Sequence, residues 1–392
     1  MNTHRLQLRP ALAGSLASAL VLLAACGGGG DTPASAGATA MVAATEASKT
    51  LPPGDNRVKW NPGHYIQLNA GAGEFMINRT FSEIAALPNV RGVQMRYQWR
   101  DLEPTKGNYD FSRIERDLAF ARASGKKLAI LVGTKAFAAG SRALPDYLRT
   151  DEYEGGVYRI LIDGRDTLGT ESTTGENMAI WVPGVRDRLI ALTQALGQRY
   201  NADNTFDSIS FNETAFGNAV VPLTSAQKQG YFDNLALMNN ATRQAFPNTV
   251  VLQFFNFPRI YLPNLVNNAI NNGVGLGGPD TFLNDPALDL STYPFYDTAA
   301  GKVPLGPSVQ GENYFTTYQY GPYNPPAVTD LYAYARDRLK ANYIFWNKVQ
   351  TQPLVPYNNV LAMFRSASFP KDAAGGLATT CPTSLPACTP QL

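Results

Sequence analysis

The chain has 392 residues, with 33 basic against 31 acidic side chains, three cysteines and two histidines. So near-neutral a balance, without a basic stripe, argues against a nucleic-acid partner. Two histidines and no Cys/His cluster argue against a His-based zinc site, and no Gly-x-Ser-x-Gly elbow accompanies His64 to build a Ser-His-Asp triad.

In chain order, residues 1–25 read as a signal peptide. His4, Arg5 and Arg9 precede an apolar stretch from Ala11 to Ala25, too short for a comfortable span of roughly 20 apolar residues. The stretch ends Leu23-Ala24-Ala25-Cys26, which resembles the lipobox of bacterial lipoproteins. That resemblance implies cleavage before Cys26, lipidation of its thiol and attachment to a membrane. Arg5 and Arg9 account for the excess of base, since no acid precedes Cys26. Gly27 directly after the cysteine, without an inner-membrane-retaining aspartate, points to the outer membrane of a bacterial cell envelope. Residues 26–57 are rich in Gly, Ala, Ser and Thr and read as a flexible tether, because so little apolar surface cannot offset ordering entropy.

From Val58 onward strand-like and helix-like patterns alternate. The spacing predicts strands at His64–Asn69, Val90–Tyr97, Lys127–Val132, Phe206–Phe211, Thr249–Phe255, Val274–Leu276, Pro307–Gly311 and Asn342–Trp346. It predicts helices at Arg79–Leu87, Phe111–Ser124, Pro183–Arg199, Ser225–Phe246, Leu262–Asn271 and Val328–Ala341. Eight strands alternating with helices argue a single-domain α/β fold, a (β/α)8 TIM barrel over residues 58–366. The competing open doubly wound sheet lacks a Gly-rich phosphate loop after its first strand. Long connections, Gly133–Trp181 and Gly277–Pro307, are expected to wall a cleft. Residues 367–392 form a Pro-, Ala- and Thr-rich tail expected at the surface. There Cys381 and Cys388 make an even pair, for which an oxidising compartment favours a disulfide.

Two strand ends carry acids. The run Ser-Ile-Ser-Phe ends in Asn212-Glu213-Thr214, and Ser-Val-Gln-Gly leads into Glu312. Residues at the C-terminal ends of barrel strands form the active face, which nominates Arg96, Lys135, Asn212, Glu213, Asn256, Glu312 and Trp346, with Tyr293 near the end of the sixth unit. Glu176, Asp280 and Asp297 lie in connections that also reach toward this face. Two acids, amide and guanidinium donors and aromatic rings have the composition of a sugar site. Two carboxyl groups on different strands are what acid/base-assisted cleavage of a glycosidic bond requires.

The pattern is similar to clan A glycoside hydrolases, retaining (β/α)8 enzymes with catalytic glutamates after the fourth and seventh strands. Asn212-Glu213 matches their fourth-strand motif, except that Thr214 stands where they carry proline. Trp99 and Glu103-Pro104, followed by Gly107 and Tyr109-Asp110-Phe111, match their second-strand region. Trp346 looks like their platform tryptophan. The resemblance implies Glu213 as general acid/base, Glu312 as nucleophile and Asn212 on the sugar 2-hydroxyl. Arg96, Lys135, Asn256, Tyr293 and Trp346 are then substrate-binding candidates, while Glu103 braces the loop after the second strand. The implied protein is a monomeric hydrolase of β-linked oligo- or polysaccharides that needs no metal or cofactor. The alternative is a carbohydrate-binding envelope lipoprotein that has lost activity on the same barrel.

Overall fold

The structure, a computed structural model, describes residues 50–52, 54–162, 174–349 and 356–389. The signal peptide and Cys26 lie outside the described residues. No helix among the described residues is long and apolar enough to cross a membrane.

Eight parallel strands close into a barrel: β1 (Gly63–Leu68), β2 (Val90–Gln98), β3 (Lys127–Gly133), β4 (Phe206–Phe211), β5 (Val250–Phe254), β6 (Gly275–Gly278), β7 (Leu305–Val309) and β8 (Tyr343–Asn347). Each pairs with its sequence neighbour, and β8 closes on β1 with Gly63 opposite Tyr343. The expected (β/α)8 class is therefore the observed one. The strands are buried on both faces, and β3, β5 and β8 accordingly read as nearly continuous apolar runs. Their two faces nevertheless belong to different cores. Tyr65, Ala129, Leu131, Leu252, Phe254, Tyr343 and Phe345 fill the interior. Ile66, Val93, Ile130, Ile209, Val251 and Trp346 face the helices.

The sixth strand is Gly-rich because its neighbours are large. A Cβ at Gly275 would stand 2.4 Å from Leu252 Cδ2, and one at Gly277 would stand 2.1 Å from Phe254 Cδ1. Large side chains on β5 thus take the volume that β6 gives up, which keeps the interior layers filled. That trade hides β6 from any search for β-branched residues.

Eight principal helices cover the outside: α1 (Glu74–Ile84), α2 (Ser112–Ala123), α3 (Pro183–Tyr200), α4 (Ser225–Ala245), α5 (Leu262–Asn272), α6 (Tyr293–Ala299), α7 (Val328–Ala333, continued by a π turn over Tyr334–Arg338) and α8 (Pro356–Arg365). Their ends follow local chemistry. Thr224 and Gln227 form a capping box at the start of α4, and Gly273 (φ +69°) ends α5 in the left-handed conformation.

Two regions differ from the sequence expectation. The connection after β3 contributes to a small antiparallel sheet beside the mouth, built from Lys135–Ala136, Gly175–Met178, Val157–Leu161 and Asn218–Ala219. The tail, expected at the surface, packs on the N-terminal end of the barrel. Phe369, Leu377 and Leu385 are buried, and Val58 donates to Ala387 O and accepts from Thr389 N. Cys381 and Cys388 are disulfide-bonded, with Cα atoms 5.8 Å apart, and both pack against the interior core near Trp60.

Candidate active site

The C-terminal end of the barrel opens into a cavity of about 640 Å3. Its floor is set by inward-facing polar residues. Gln67 receives a hydrogen bond from Gln310 Nε2 at 3.0 Å and donates to Gln94 Oε1 at 2.7 Å; Gln94 in turn donates to Ser210 Oγ at 3.1 Å. This amide layer seals the apolar interior beneath and fixes the strand ends above it.

Of the residues nominated from sequence, Arg96, Glu213, Asn256 and Glu312 all line the cavity. Glu213 follows β4 directly and is 9% exposed. Its Oε1 accepts from Lys135 Nζ at 3.2 Å, and the same ammonium donates to the backbone oxygens of Glu213 and Ala215. Lys135, 1% exposed, thus knots the side-sheet strand to the β4 loop. Burial pushes the Glu213 carboxyl upward, but the Lys135 charge, its own backbone hydrogen bond and the Arg96 charge outweigh it and hold the carboxyl below its ordinary range. Burial in turn lowers Arg96, partly offset by the Glu213 charge. Arg96 Nε is buried without a hydrogen-bond partner among the described residues, so this guanidinium keeps donor capacity in the cavity wall.

Thr214, standing where the resemblance expects proline, is fully buried. Its hydroxyl donates to Phe257 O at 2.9 Å and accepts from Asn256 N at 3.1 Å. Asn256 Oδ1 accepts from Ala215 N at 2.9 Å and Phe257 N at 2.7 Å. The β4 and β5 loops are therefore clamped by side-chain hydrogen bonds, which do the work of the missing ring. Asn212 Oδ1 accepts from Thr134 N at 2.8 Å, while its buried Nδ2 has no partner among the described residues.

Glu312 sits differently from expectation. β7 ends at Val309, and Gln310 occupies the strand end. Glu312 begins a one-turn 3-10 helix, Glu312–Tyr314, and is exposed on the cavity rim. Trp346 and Tyr293 do not reach the cavity. Trp346 faces outward from β8, where its indole donates to His64 Nδ1 at 3.0 Å and its ring meets Phe364 of α8. Register explains the miss: Tyr343, Phe345 and Asn347 share the inward parity, so position 346 must point to the helices. Tyr293, 1% exposed, bonds through its hydroxyl to Phe282 N at 2.9 Å in the core.

Other residues complete the lining, among them one of the three acids named from the connections. Asp280, two residues past β6, faces the same cavity as Glu213 and Glu312. Burial and the Glu213 charge raise its carboxyl to about 7, with the Glu312 charge adding in the same direction. Sequence reasoning named it as an acid in the connection; because β6 runs two residues further than predicted, it stands just beyond a strand end. Rim aromatics are Phe137 and Tyr320, 47% and 73% exposed. Ile160, Leu161, Ile162 and Phe216 give one wall an apolar surface. The other acids from the connections are engaged elsewhere: Glu176 accepts from Ala143 N, Leu144 N and Arg149, and Asp297 pairs with Arg338 at 2.9 Å. Glu103, fully buried, accepts from Trp99 Nε1 and Gly107 N at 2.8 Å each and pairs with Arg188, bracing the β2 loop as expected. Among the described residues no His/Cys/Asp/Glu cluster is arranged to hold a metal ion.

No protein-family model and no curated protein sequence matches the chain. Solved structures do match in fold. A polyextremophilic β-galactosidase from Halorubrum lacusprofundi aligns with TM-score 0.52 at 12% identity, over 77% of this chain and 58% of that one. The catalytic domain of β-amylase from Paenibacillus polymyxa aligns with TM-score 0.50 at 9% identity, over 79% and 100%. Endo-glycoceramidase II from Rhodococcus sp., as its lactosyl-enzyme intermediate, aligns with TM-score 0.50 at 15% identity, over 77% of each chain. The chain is thus similar in fold to (β/α)8 glycoside hydrolases.

Proposed function

We propose that this chain is a retaining glycoside hydrolase acting on a β-linked oligo- or polysaccharide, with Glu213 and Glu312 as its paired carboxyls. One observation carries the reading: both carboxyls, with Arg96 and Asn256, line a single cavity over the C-terminal end of a closed barrel. Glu312, exposed at the rim, is the carboxyl that the resemblance nominates as nucleophile. Glu213 is the partner that the strand position nominates as acid/base. Its pairing with Lys135, however, favours the ionised form, which suits a charge-setting role and calls for a proton held elsewhere in the cavity. The rim aromatics Phe137 and Tyr320 offer faces on which sugar C–H groups can stack.

A screen of aryl β-glycosides and β-glucans, xylans, mannans and galactans with the unmodified chain, Glu213→Gln and Glu312→Gln tests this reading. The expected result is turnover by the unmodified chain and a loss of at least about 100-fold in both variants. Persistence of full activity in both would refute the site. A second reading, sugar binding without turnover on the same barrel, is favoured by the Lys135–Glu213 ion pair alone. It predicts saturable oligosaccharide binding by calorimetry and no reducing-end release.

We also propose that the chain is a monomer attached to the outer membrane of a bacterial envelope through lipid at Cys26, as the Leu23-Ala24-Ala25-Cys26 sequence supports. Metabolic labelling with a fatty-acid probe, lost in Cys26→Ala, tests the attachment.

A further inference from the structure

We propose that Asp280 is the proton donor of this site, and that Glu213 is a positioning residue whose fixed negative charge keeps the proton on Asp280. The inference rests on the hydrolase reading and changes the role of one carboxyl within it.

Three carboxyl groups border the cavity, and their surroundings differ in a way that sorts them. Glu213 has a buried ammonium 3.2 Å from one oxygen. Glu312 is exposed at the rim. Asp280 is half-buried, and among the described residues no cation forms an ion pair with it. The nearest donor is Asn313 Nδ2, 3.5 Å from Asp280 Oδ1. That amide is held in place because Asn313 Oδ1 accepts from Gln310 N at 2.7 Å and Thr281 N at 3.1 Å. A neutral donor at that distance steadies a carboxyl without forcing it to ionise, whereas an ammonium does force it.

The acids acting on Asp280 work in one direction, against the Asn313 hydrogen bond, which lowers it. Glu213 from β4, Glu312 after β7 and Asp285 further along its own loop all raise it, in addition to burial. Asp285 is buried, capping Ala287 N and Leu288 N and accepting from Gln319 N at 2.8 Å. Behind Asp280 stand Tyr293 and Tyr296 of α6, both kept protonated by burial and by the Asp280 charge. Tyr296 Oη, on a residue 1% exposed, has no hydrogen-bond partner among the described residues. It reaches the strand end because Gly278 has no side chain, since a Cβ there would lie 2.4 Å from it. The charges that raise Asp280 are thus those of neighbouring acids, and its hydrogen-bond donor is a neutral amide, the setting that keeps one carboxyl of a group protonated near neutrality.

The chemistry balances. Asp280 passes its proton to the glycosidic oxygen, which keeps the electron pair of the breaking bond to the anomeric carbon, while a Glu312 oxygen forms the new bond. Neutralising Glu312 as an ester removes one of the charges that raised Asp280, so Asp280 becomes a competent base. It then takes a proton from water as the water oxygen bonds the anomeric carbon and the ester bond breaks, its electron pair returning to Glu312. Glu213 remains ionised beside Lys135 throughout.

The experiment compares 2,4-dinitrophenyl and 4-methylphenyl β-glycosides, as glucoside, galactoside, mannoside and xyloside, in the unmodified chain and in Asp280→Asn, Glu213→Gln and Glu312→Gln. A dinitrophenolate leaves without a proton; a methylphenolate needs one. Asp280→Asn is expected to lose at least 100-fold in kcat/KM on the methylphenyl glycoside and under ten-fold on the dinitrophenyl one, with azide restoring turnover as the β-glycosyl azide. Glu213→Gln is expected to lose activity on both glycosides alike, without azide rescue, and to move the basic limb of the kcat/KM profile to lower pH, because the charge holding the proton on Asp280 is gone. That profile reads Asp280 without altering it, should Asp280→Asn fail to fold. Azide rescue of Glu213→Gln, or an unmoved basic limb in it, overturns the proposal while leaving the hydrolase reading intact. An unmodified chain inert on every dinitrophenyl glycoside overturns both.

Discussion

Replacing Lys135 by Met should destabilise the fold strongly at alkaline pH and much less at acidic pH. Lys135 and Glu213 are 1% and 11% exposed at their side chains, so screening is weak and neither group finds water when its partner is removed. Leaving a buried carboxylate unpaired costs about 3–5 kcal/mol, on the order of a 10 °C fall in Tm for a chain of this size. The Glu213 carboxyl is held below its ordinary range in the intact site, so its stabilising share is fully present above the unfolded value and is lost only as pH falls through the lower folded one. In Lys135→Met the largest opposing charge is gone and only a backbone hydrogen bond and the Arg96 charge still oppose burial, so the folded value rises, and the penalty is present at high pH and relieved as Glu213 takes a proton. Thermal unfolding of both chains at pH 8 and pH 4 checks this: the gap should narrow by at least half at pH 4. The backbone bonds of Lys135 to Glu213 O and Ala215 O are lost at either pH and set the remainder. A gap of equal size at both pH values would show that Lys135 is only a carbonyl clamp, and the charge assignment of the site would fall with it.

Trp346→Phe should lower stability by about 1–2 kcal/mol, through the lost bond to His64 and lost ring volume, while leaving KM for any glycoside unchanged; a raised KM would return Trp346 to the site. Tyr320→Ala, at a position 73% exposed, should do the reverse, raising KM several-fold without shifting Tm. The bond between Cys381 and Cys388 closes a loop with a sequence separation of 7; Cys388→Ser should cost about 2.5 kcal/mol by loop-closure entropy, read as a lower midpoint in urea. His64 is held down to about 4, chiefly by burial, which outweighs its bond to Gly375 O and the Asp372 charge. A histidine lowered on folding contributes stability that is whole above its unfolded value of about 6.5 and lost as pH falls through the folded one. Denaturant titrations should therefore show stability dropping by about 3 kcal/mol between pH 6.5 and 4 from this group; His64→Gln should flatten that part of the curve.

Much of the barrel was legible because strand and helix ends carry local chemistry. Gly125, Pro183, the Thr224–Gln227 box and Gly273 mark where elements stop or start, and all eight strands fall within a few residues of their predicted positions. Glu213 was legible for the same reason, as an acid just past a short apolar run. Facing was not legible. Tyr343-Ile344-Phe345-Trp346 is apolar on both sides, so nothing in the run distinguishes inside from outside, and only pairing with β1 and β7 fixes the parity. Asp280 was legible as an acid in a connection near this face, but not its place just past β6, because the glycines of β6 answer Leu252 and Phe254 on another strand. The tail escaped because its Pro and Thr content reads as disorder, whereas sparse anchors, Phe369, Leu377 and Leu385, suffice to seat it on the barrel end.

The charges at the mouth bear on whether catalysis is feasible at all. Three carboxyls, Glu213, Asp280 and Glu312, line the cavity with Arg96, and Lys135 pairs with Glu213, so two cations meet three acids at a site proposed for an uncharged sugar. Fully ionised, the group would carry one surplus negative charge in a partly dry site, where like charges repel more strongly than in water. A single proton restores balance, and acid-assisted cleavage of a glycosidic bond needs a single proton at the start. On the proposed assignment, Lys135 and Arg96 both favour an ionised Glu213, while burial and the Glu213 charge favour the proton on Asp280. The same count explains why Lys135 belongs on the side sheet and not on a barrel strand. Carried on the segment immediately after β3, its ammonium reaches the β4 loop from the flank, fixing the anion in place while the space above the barrel axis stays open for substrate.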